Sequence, residues 1–189
     1  MNATSYRTLT ALFAVLPLCA AGLANLPPEP QGYRMEDYRA PTPATLRGAL
    51  VLSTEQARAV WEKHDAVFID VLPQPPRPAG LPTSTIWRAK PRDDIPGSLW
   101  LPDTGYGALA PVMQDYFEHG LRQATGDRQD RQIVFYCLAS CWMSWNAAKR
   151  ALELGYTNVA WYPEGTDGWA DQGLPLEERV PMARPQAAE

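Results

Sequence analysis

The chain has 189 residues, 46% of them hydrophobic and 20% charged, with a formal net charge of -4. That is enough apolar material for one globular domain with a full core, and it excludes the disordered and collagen-like classes. Charges of both signs are interspersed without a basic run, so no phosphate-tracking surface is present and nucleic acid is excluded as a partner.

The first segment, "MNATSYRTLTALFAVLPLCAAGLA", has a single positive charge at Arg7, an apolar stretch from Leu9 to about Ala21, and small residues ending at Ala24. This is the pattern of a cleavable signal peptide over residues 1–24, and it predicts export to the periplasm. The alternative is an uncleaved anchor. The apolar run is short and interrupted by Pro17, and no later segment approaches about 18 uninterrupted apolar residues, so no membrane span is expected after cleavage. Cys19 follows Leu18, where lipid attachment needs a small residue, so it is expected to leave with the signal peptide. An oxidising compartment then holds a chain whose thiols are Cys137 and Cys141.

A Pro-rich arm comes next, over residues 25–45, containing "NLPPEP" and "APTPA" and expected to be extended. From residue 46 to 178 strand and helix signals alternate, with a polar tail over 179–189. "ALVLS" reads as a short buried strand, and Ser53 with Gln56 forms a capping box for the helix "TEQARAVWEKH". "AVFIDV" is a continuous apolar run closed by Asp70, as expected of a parallel strand covered on both faces. After a Pro-rich loop, "SLWLP" reads as a strand and residues 110–123 as a helix. "QIVFYC" is the most β-prone run and ends on Cys137. A helix from about Met143 to Leu154 stops at Gly155, "NVAWYP" is the last strand, and "DGWADQG" a short final helix. The alternation predicts a single α/β domain, an open parallel sheet of about five strands with helices on both faces.

In such a sheet the functional crevice lies beyond the carboxyl ends of the strands. Cys137 sits at one of those ends, ahead of a helix whose N-terminal N–H groups and dipole lower a thiol pKa, so position predicts Cys137 as a nucleophile. The bland alternative is two buried cysteines acting as small hydrophobes.

The chain resembles the rhodanese family over roughly residues 45–178. "AVFIDV" resembles that family's strand ending in Asp-Val, "DIPGSLWLP" its His-Ile-Pro-Gly-Ala segment, and "IVFYC" its catalytic strand and cysteine. "SWNAAKRALELGY" and "NVAWYPEGTDGWADQGLPL" are similar to its following helix and its final strand, turn and helix. Two departures stand out. The Arg that rhodaneses carry after the cysteine is absent from "LASCWM", and Asp94 replaces the His; thiosulfate recognition by that Arg is not expected. The stretches "GYRMEDYRAPTPATL", "CWMSWNAAKRALELGY" and "WYPEGTDGW" resemble the rhodanese-like PQQ-dependent catabolism-associated CXXCW motif proteins, although Leu138, Ala139 and Ser140 here separate the cysteines. That resemblance implies export and an association with alcohol oxidation by PQQ-dependent dehydrogenases, with such a system or another exported redox protein as partner.

Four readings of the pair stay open. Cys137 and Cys141 cycle between dithiol and disulfide, with Cys137 as nucleophile and Cys141 as resolving thiol. Alternatively Cys137 carries a persulfide in a sulfurtransferase, held by the loop Leu138, Ala139, Ser140, Trp142, Met143 and Ser144. A third reading has the thiolates and Met143 bind Cu(I), with His64 or His119 completing the shell. The fourth is a structural disulfide, whose small loop would add little stability. Asp70, Asp103, Glu164, Thr166 and Asp167 are candidates for the rim, with solvated loop charges as the plainer reading. Arg88, Lys90 and Arg92 are candidates to replace the missing cation, again with a solvated face as the plainer reading. Trp142 and Trp145 are candidates for a wall that stacks a redox cofactor such as a quinone, or for a partner docking surface, with core as the other reading of Trp145.

Overall fold

The protein is described by a computed structural model over residues 26–88 and 91–184. The expected signal peptide with Arg7, Cys19 and Ala24, and also Lys90, lie outside the described residues. The elements in chain order are β1 (Leu50–Val51), α1 (Thr54–Glu62), β2 (Val67–Asp70), β3 (Arg92–Asp94), β4 (Leu99–Trp100), α2 (Pro111–Thr125), β5 (Ile133–Tyr136), α3 (Trp142–Glu153), β6 (Val159–Trp161), α4 (Gly165–Asp171) and β7 (Glu177–Arg179).

Five strands form a parallel sheet in the order β1-β6-β5-β2-β4, so β5 is central. Every residue of β5 is buried, which is why its sequence is apolar throughout rather than alternating. The pleat still divides it. Ile133, Phe135 and Cys137 face the core shared with Phe117 and Leu121 of α2 and Trp145 and Ala148 of α3. Val134 and Tyr136 face the other core, with Ala57 of α1 and Trp169 of α4. The capping box at Ser53 forms as its spacing requires, and α2 starts with Pro111 and ends on left-handed Gly126 (φ 63°).

The segments "RDD" and "EER" are not legible as strands, yet they pair as an antiparallel ribbon, β3 with β7. The chain beyond β7 packs on the domain: the Met182 amide donates to the Trp100 carbonyl (3.0 Å), and the buried Tyr116 hydroxyl donates to the Met182 carbonyl (2.8 Å). The Pro-rich arm runs along α3. Among the described residues no helix is long and apolar enough to cross a membrane.

Candidate active site

Cys137 directly follows β5, residues 138–140 turn the chain with Ser140 left-handed (φ 51°), and Cys141 is the N-cap of α3. The turn is pinned from α4. The Cys137 carbonyl accepts from the Thr166 amide (3.0 Å) and from the Thr166 hydroxyl (3.4 Å), and Leu138 forms an isolated antiparallel bridge with Gly165. Gly165 is needed there: its φ is 54°, and a Cβ would lie 2.3 Å from the Cys137 carbonyl oxygen. Ser144 donates to the Cys141 carbonyl (3.2 Å) and accepts the Trp161 indole N–H (3.0 Å).

Both cysteines are free thiols and both are buried, Cys137 at 0% exposure and Cys141 at 1%. The two thiols are shifted in opposite directions. Burial pushes the Cys137 thiol well above its usual range, as do its role as donor to Cys141 and the charge on that neighbour; the Ser144 hydroxyl opposes the shift. Cys141 is lowered to about 7. The S–H of Cys137 is the main cause; burial opposes it, and the Met143 amide, the Arg39 guanidinium and the Leu138 amide favour the thiolate. The amino end of α3 therefore serves its own N-cap sulfur, one turn position beyond the strand end. Of the two thiols, Cys141 is the one whose surroundings favour the anion.

Arg92 departs from the expected solvated face. Its side chain is 13% exposed and pairs with Asp70 and Asp94, both fully buried, the latter at 3.0 Å. It also donates to the Thr166 hydroxyl (3.0 Å) and the Cys137 carbonyl (3.3 Å). The guanidinium is thus engaged by carboxylates behind the loop. Asp94 is pushed up to about 9, first by burial and then by the charge and hydrogen bond of Asp70, against Arg92 and Arg179. Asp70 also accepts the Leu72 amide (2.8 Å). Arg88 is exposed.

The arm covers the cysteines from the opposite side. Arg39 forms an isolated antiparallel bridge with Cys141, and the Tyr38 carbonyl accepts the Trp142 amide at 2.8 Å. The indole N–H groups of Trp142 and Trp145 donate to the carbonyls of Pro41 and Thr45, each at 3.1 Å. Trp142 is 2% exposed and Trp145 0%, stacked edge-to-face with centroids 5.4 Å apart. These two rings are core, and a quinone-stacking wall is not formed by them.

The remaining rim residues divide. Asp167 belongs to the loop, accepting the Ala139 amide at 3.0 Å. Thr166 is buried against it. Glu164 instead accepts the Thr54 hydroxyl of α1, and Asp103 pairs with Arg184 of the tail. Met143 is 6% exposed, packed where Gly105 leaves room for it. His64 lies edge-on to Trp61, and among the described residues no group of three or more His, Cys, Asp or Glu side chains is placed to hold a metal. A groove of about 420 Å³ runs beside the loop, lined by Leu72, Pro73, Arg92, Leu138, Thr166 and Asp167 among others; neither cysteine lines it.

Residues 53–172 match the sequence profile of the rhodanese-like domain. No curated protein matches the chain. Among solved structures the fold is similar to the polysulfide-sulfur transferase homodimer of Wolinella succinogenes (17% identity, 70% of this chain and 81% of that one, TM-score 0.45). It is also similar to thiosulfate sulfurtransferase from Pseudomonas aeruginosa (19%, 71% and 21%, TM-score 0.48). A third is a persulfide-bearing EanB variant with ergothioneine (20%, 75% and 34%, TM-score 0.50). At these identities the likeness is one of fold. The matched profile spans well over half of the chain, and with the five-stranded parallel sheet and a cysteine at the end of its central strand, the chain belongs to the rhodanese-like domain family.

Proposed function

We propose that this chain is a thiol–disulfide redox protein in which Cys141 is the attacking thiolate and Cys137 the resolving thiol. One observation carries the reading: the two free thiols lie buried at one turn, with the Cys137 Sγ 3.7 Å from the Cys141 carbonyl, and their surroundings lower Cys141 to about 7. A thiol with a pKa near the working pH combines thiolate population with nucleophilicity. The loop amides add support. A persulfide needs them turned to the terminal sulfur, but the Ala139 amide is held by Asp167 and the Trp142 amide by the Tyr38 carbonyl. The resemblance in the arm and in "CWMSWNAAKRALELGY" supports a place beside PQQ-dependent alcohol oxidation, and the N-terminal pattern supports export to the periplasm with cleavage near Ala24.

A sulfurtransferase with a persulfide on a cysteine is the second reading, favoured by family membership and by the position of Cys137 at the end of β5. Equilibration with thiol–disulfide buffers, then intact mass and thiol counting, separates the two. Redox cycling predicts that both thiols vanish together in the wild type and in neither Cys137→Ser nor Cys141→Ser. It also predicts alkylation that rises through about pH 7, with a midpoint that moves up in Cys137→Ala, where the S–H donor is gone. A pair that forms no disulfide at any potential, with a sulfur atom added on incubation with thiosulfate, overturns the redox reading.

A further inference from the structure

Cys141 is the group with the chemistry and it is covered by the chain's own backbone. The cover has five attachments. The Arg39 to Cys141 bridge and the bond from the Trp142 amide to the Tyr38 carbonyl lie directly over the sulfur's residue. The Trp142 indole N–H reaches the Pro41 carbonyl on one side. On the other side Asn146 clamps Arg34, accepting its amide and donating to its carbonyl, each at 2.9 Å. The Tyr38 hydroxyl accepts the Gly107 amide (3.1 Å) and donates to the Met35 carbonyl (2.8 Å). Between these points Asp37 is left-handed at φ 48°, a conformation disfavoured for a residue with a side chain.

What this segment gives the site is main chain: two carbonyls and one antiparallel bridge. The Trp142 amide is the first N–H of α3 and has no acceptor within its own helix, and the indole N–H of Trp142 is part-buried. Lifting the segment with nothing in its place leaves both donors without partners, which is costly in a buried site. A molecule that replaces it must present carbonyls in an extended backbone, as a strand added to an open edge does. We propose that residues 37–41 are a removable strap on a docking edge for an extended polypeptide disulfide, the partner class of the redox pair. The partner class rests on the proposed redox function; the removable strap does not.

The exchange balances in atoms and electrons. The Cys141 thiolate attacks one sulfur of the partner's disulfide, forming a mixed disulfide and expelling a partner thiolate, which takes the Cys137 proton. The Cys137 thiolate attacks the Cys141 sulfur, closes the Cys137–Cys141 disulfide and releases the second partner thiolate. Two electrons pass from the pair to the partner.

The test uses the full reduced chain and its Asn146→Ala variant, which unhooks Arg34, also removes the donor to the Gly105 carbonyl (3.0 Å), and touches neither thiol. Iodoacetamide alkylation of Cys141 is measured beside hydrogen exchange at the Trp142 and Val134 amides. The expected result is that alkylation and Trp142 exchange accelerate together, by about tenfold or more for the lost hydrogen bonds, while Val134 in β5 keeps its protection. Tyr38→Phe, which removes only the hydroxyl contacts to Gly107 and Met35, carries the same comparison if Asn146→Ala also exposes Val134. Rapid alkylation with the Trp142 amide still protected overturns the strap. Reduction of a synthetic extended peptide disulfide is then compared with that of hydroxyethyl disulfide: a larger acceleration for the peptide supports the docking edge, and equal acceleration overturns it. If alkylation tracks Trp142 but neither disulfide is reduced, the strap stands and the redox reading falls, with the partner class that rests on it.

Discussion

Two fully buried carboxyl groups, Asp70 and Asp94, share one guanidinium, that of Arg92, so ionising both would leave one uncompensated charge in the interior. Burial and the neighbouring Asp70 raise Asp94 to about 9, which favours its neutral, protonated form at pH 7. The stability linked to that proton is fully present below the unfolded value of 3.8 and is lost as pH rises through about 9. At neutral pH the fold therefore carries a penalty that a neutral isostere removes. Asp94→Asn keeps the shape, and urea denaturation should find it more stable than wild type at pH 7, on the order of 2–4 kcal/mol, with the advantage shrinking toward pH 4. A variant less stable at pH 7 would show that Arg92 needs both charges. Little of this is legible in the sequence. "RDD" reads as a solvated run, because the chain does not reveal that β7 will fold over it and take it from water. The cysteines show the same limit: their position at a helix start was legible, but which sulfur lies at the N-cap depended on where α3 begins.

The parallel strands and the four helices were legible because each carries its own signal: a continuous apolar run for β2 and β5, a capping box for α1, a Pro start for α2. The strap was legible only as an extended arm, since its contacts are made by carbonyls that any residue possesses. What joins the elements into a site is a crossing of α4 over the loop at Gly165, where left-handed geometry and contact with the Cys137 carbonyl coincide. Gly165→Ala must either strain φ or push α4 off the Cys137 carbonyl, breaking the Thr166 amide bond to it. The expected cost is about 2–3 kcal/mol, visible as a fall of several degrees in Tm. Alkylation of Cys141 should become faster as well, because the turn that holds it loosens. An unchanged Tm and unchanged thiol reactivity would mean that the loop stands without α4.

At the scale of the whole molecule, the family profile ends at residue 172, and the chain after it reaches Arg92 through β3. Glu177 accepts the Gly97 amide (2.7 Å) and β7 pairs with Arg92–Asp94, while Met182 satisfies the buried Tyr116 hydroxyl. The strap, by contrast, reaches the thiols directly: Arg39, the Cys137 S–H and the Met143 and Leu138 amides are the groups that favour the Cys141 thiolate, and none lies beyond residue 143. The groups that lower Cys141 thus lie in the arm and the active-site loop, apart from the segment that closes over Tyr116. Ending the chain after Leu176 removes β7, leaves the Tyr116 hydroxyl without its acceptor, and frees β3 with its arginine. An unsatisfied buried hydroxyl alone costs about 1–3 kcal/mol, and the truncated protein should unfold at correspondingly lower urea. Its Cys141 should still titrate near pH 7 in alkylation assays, because every group that lowers it remains. A midpoint that climbs toward the ordinary thiol range in the truncated chain would show instead that Arg92, held by β7, governs the cysteine through the Cys137 carbonyl, and that the two ends are coupled across the sheet.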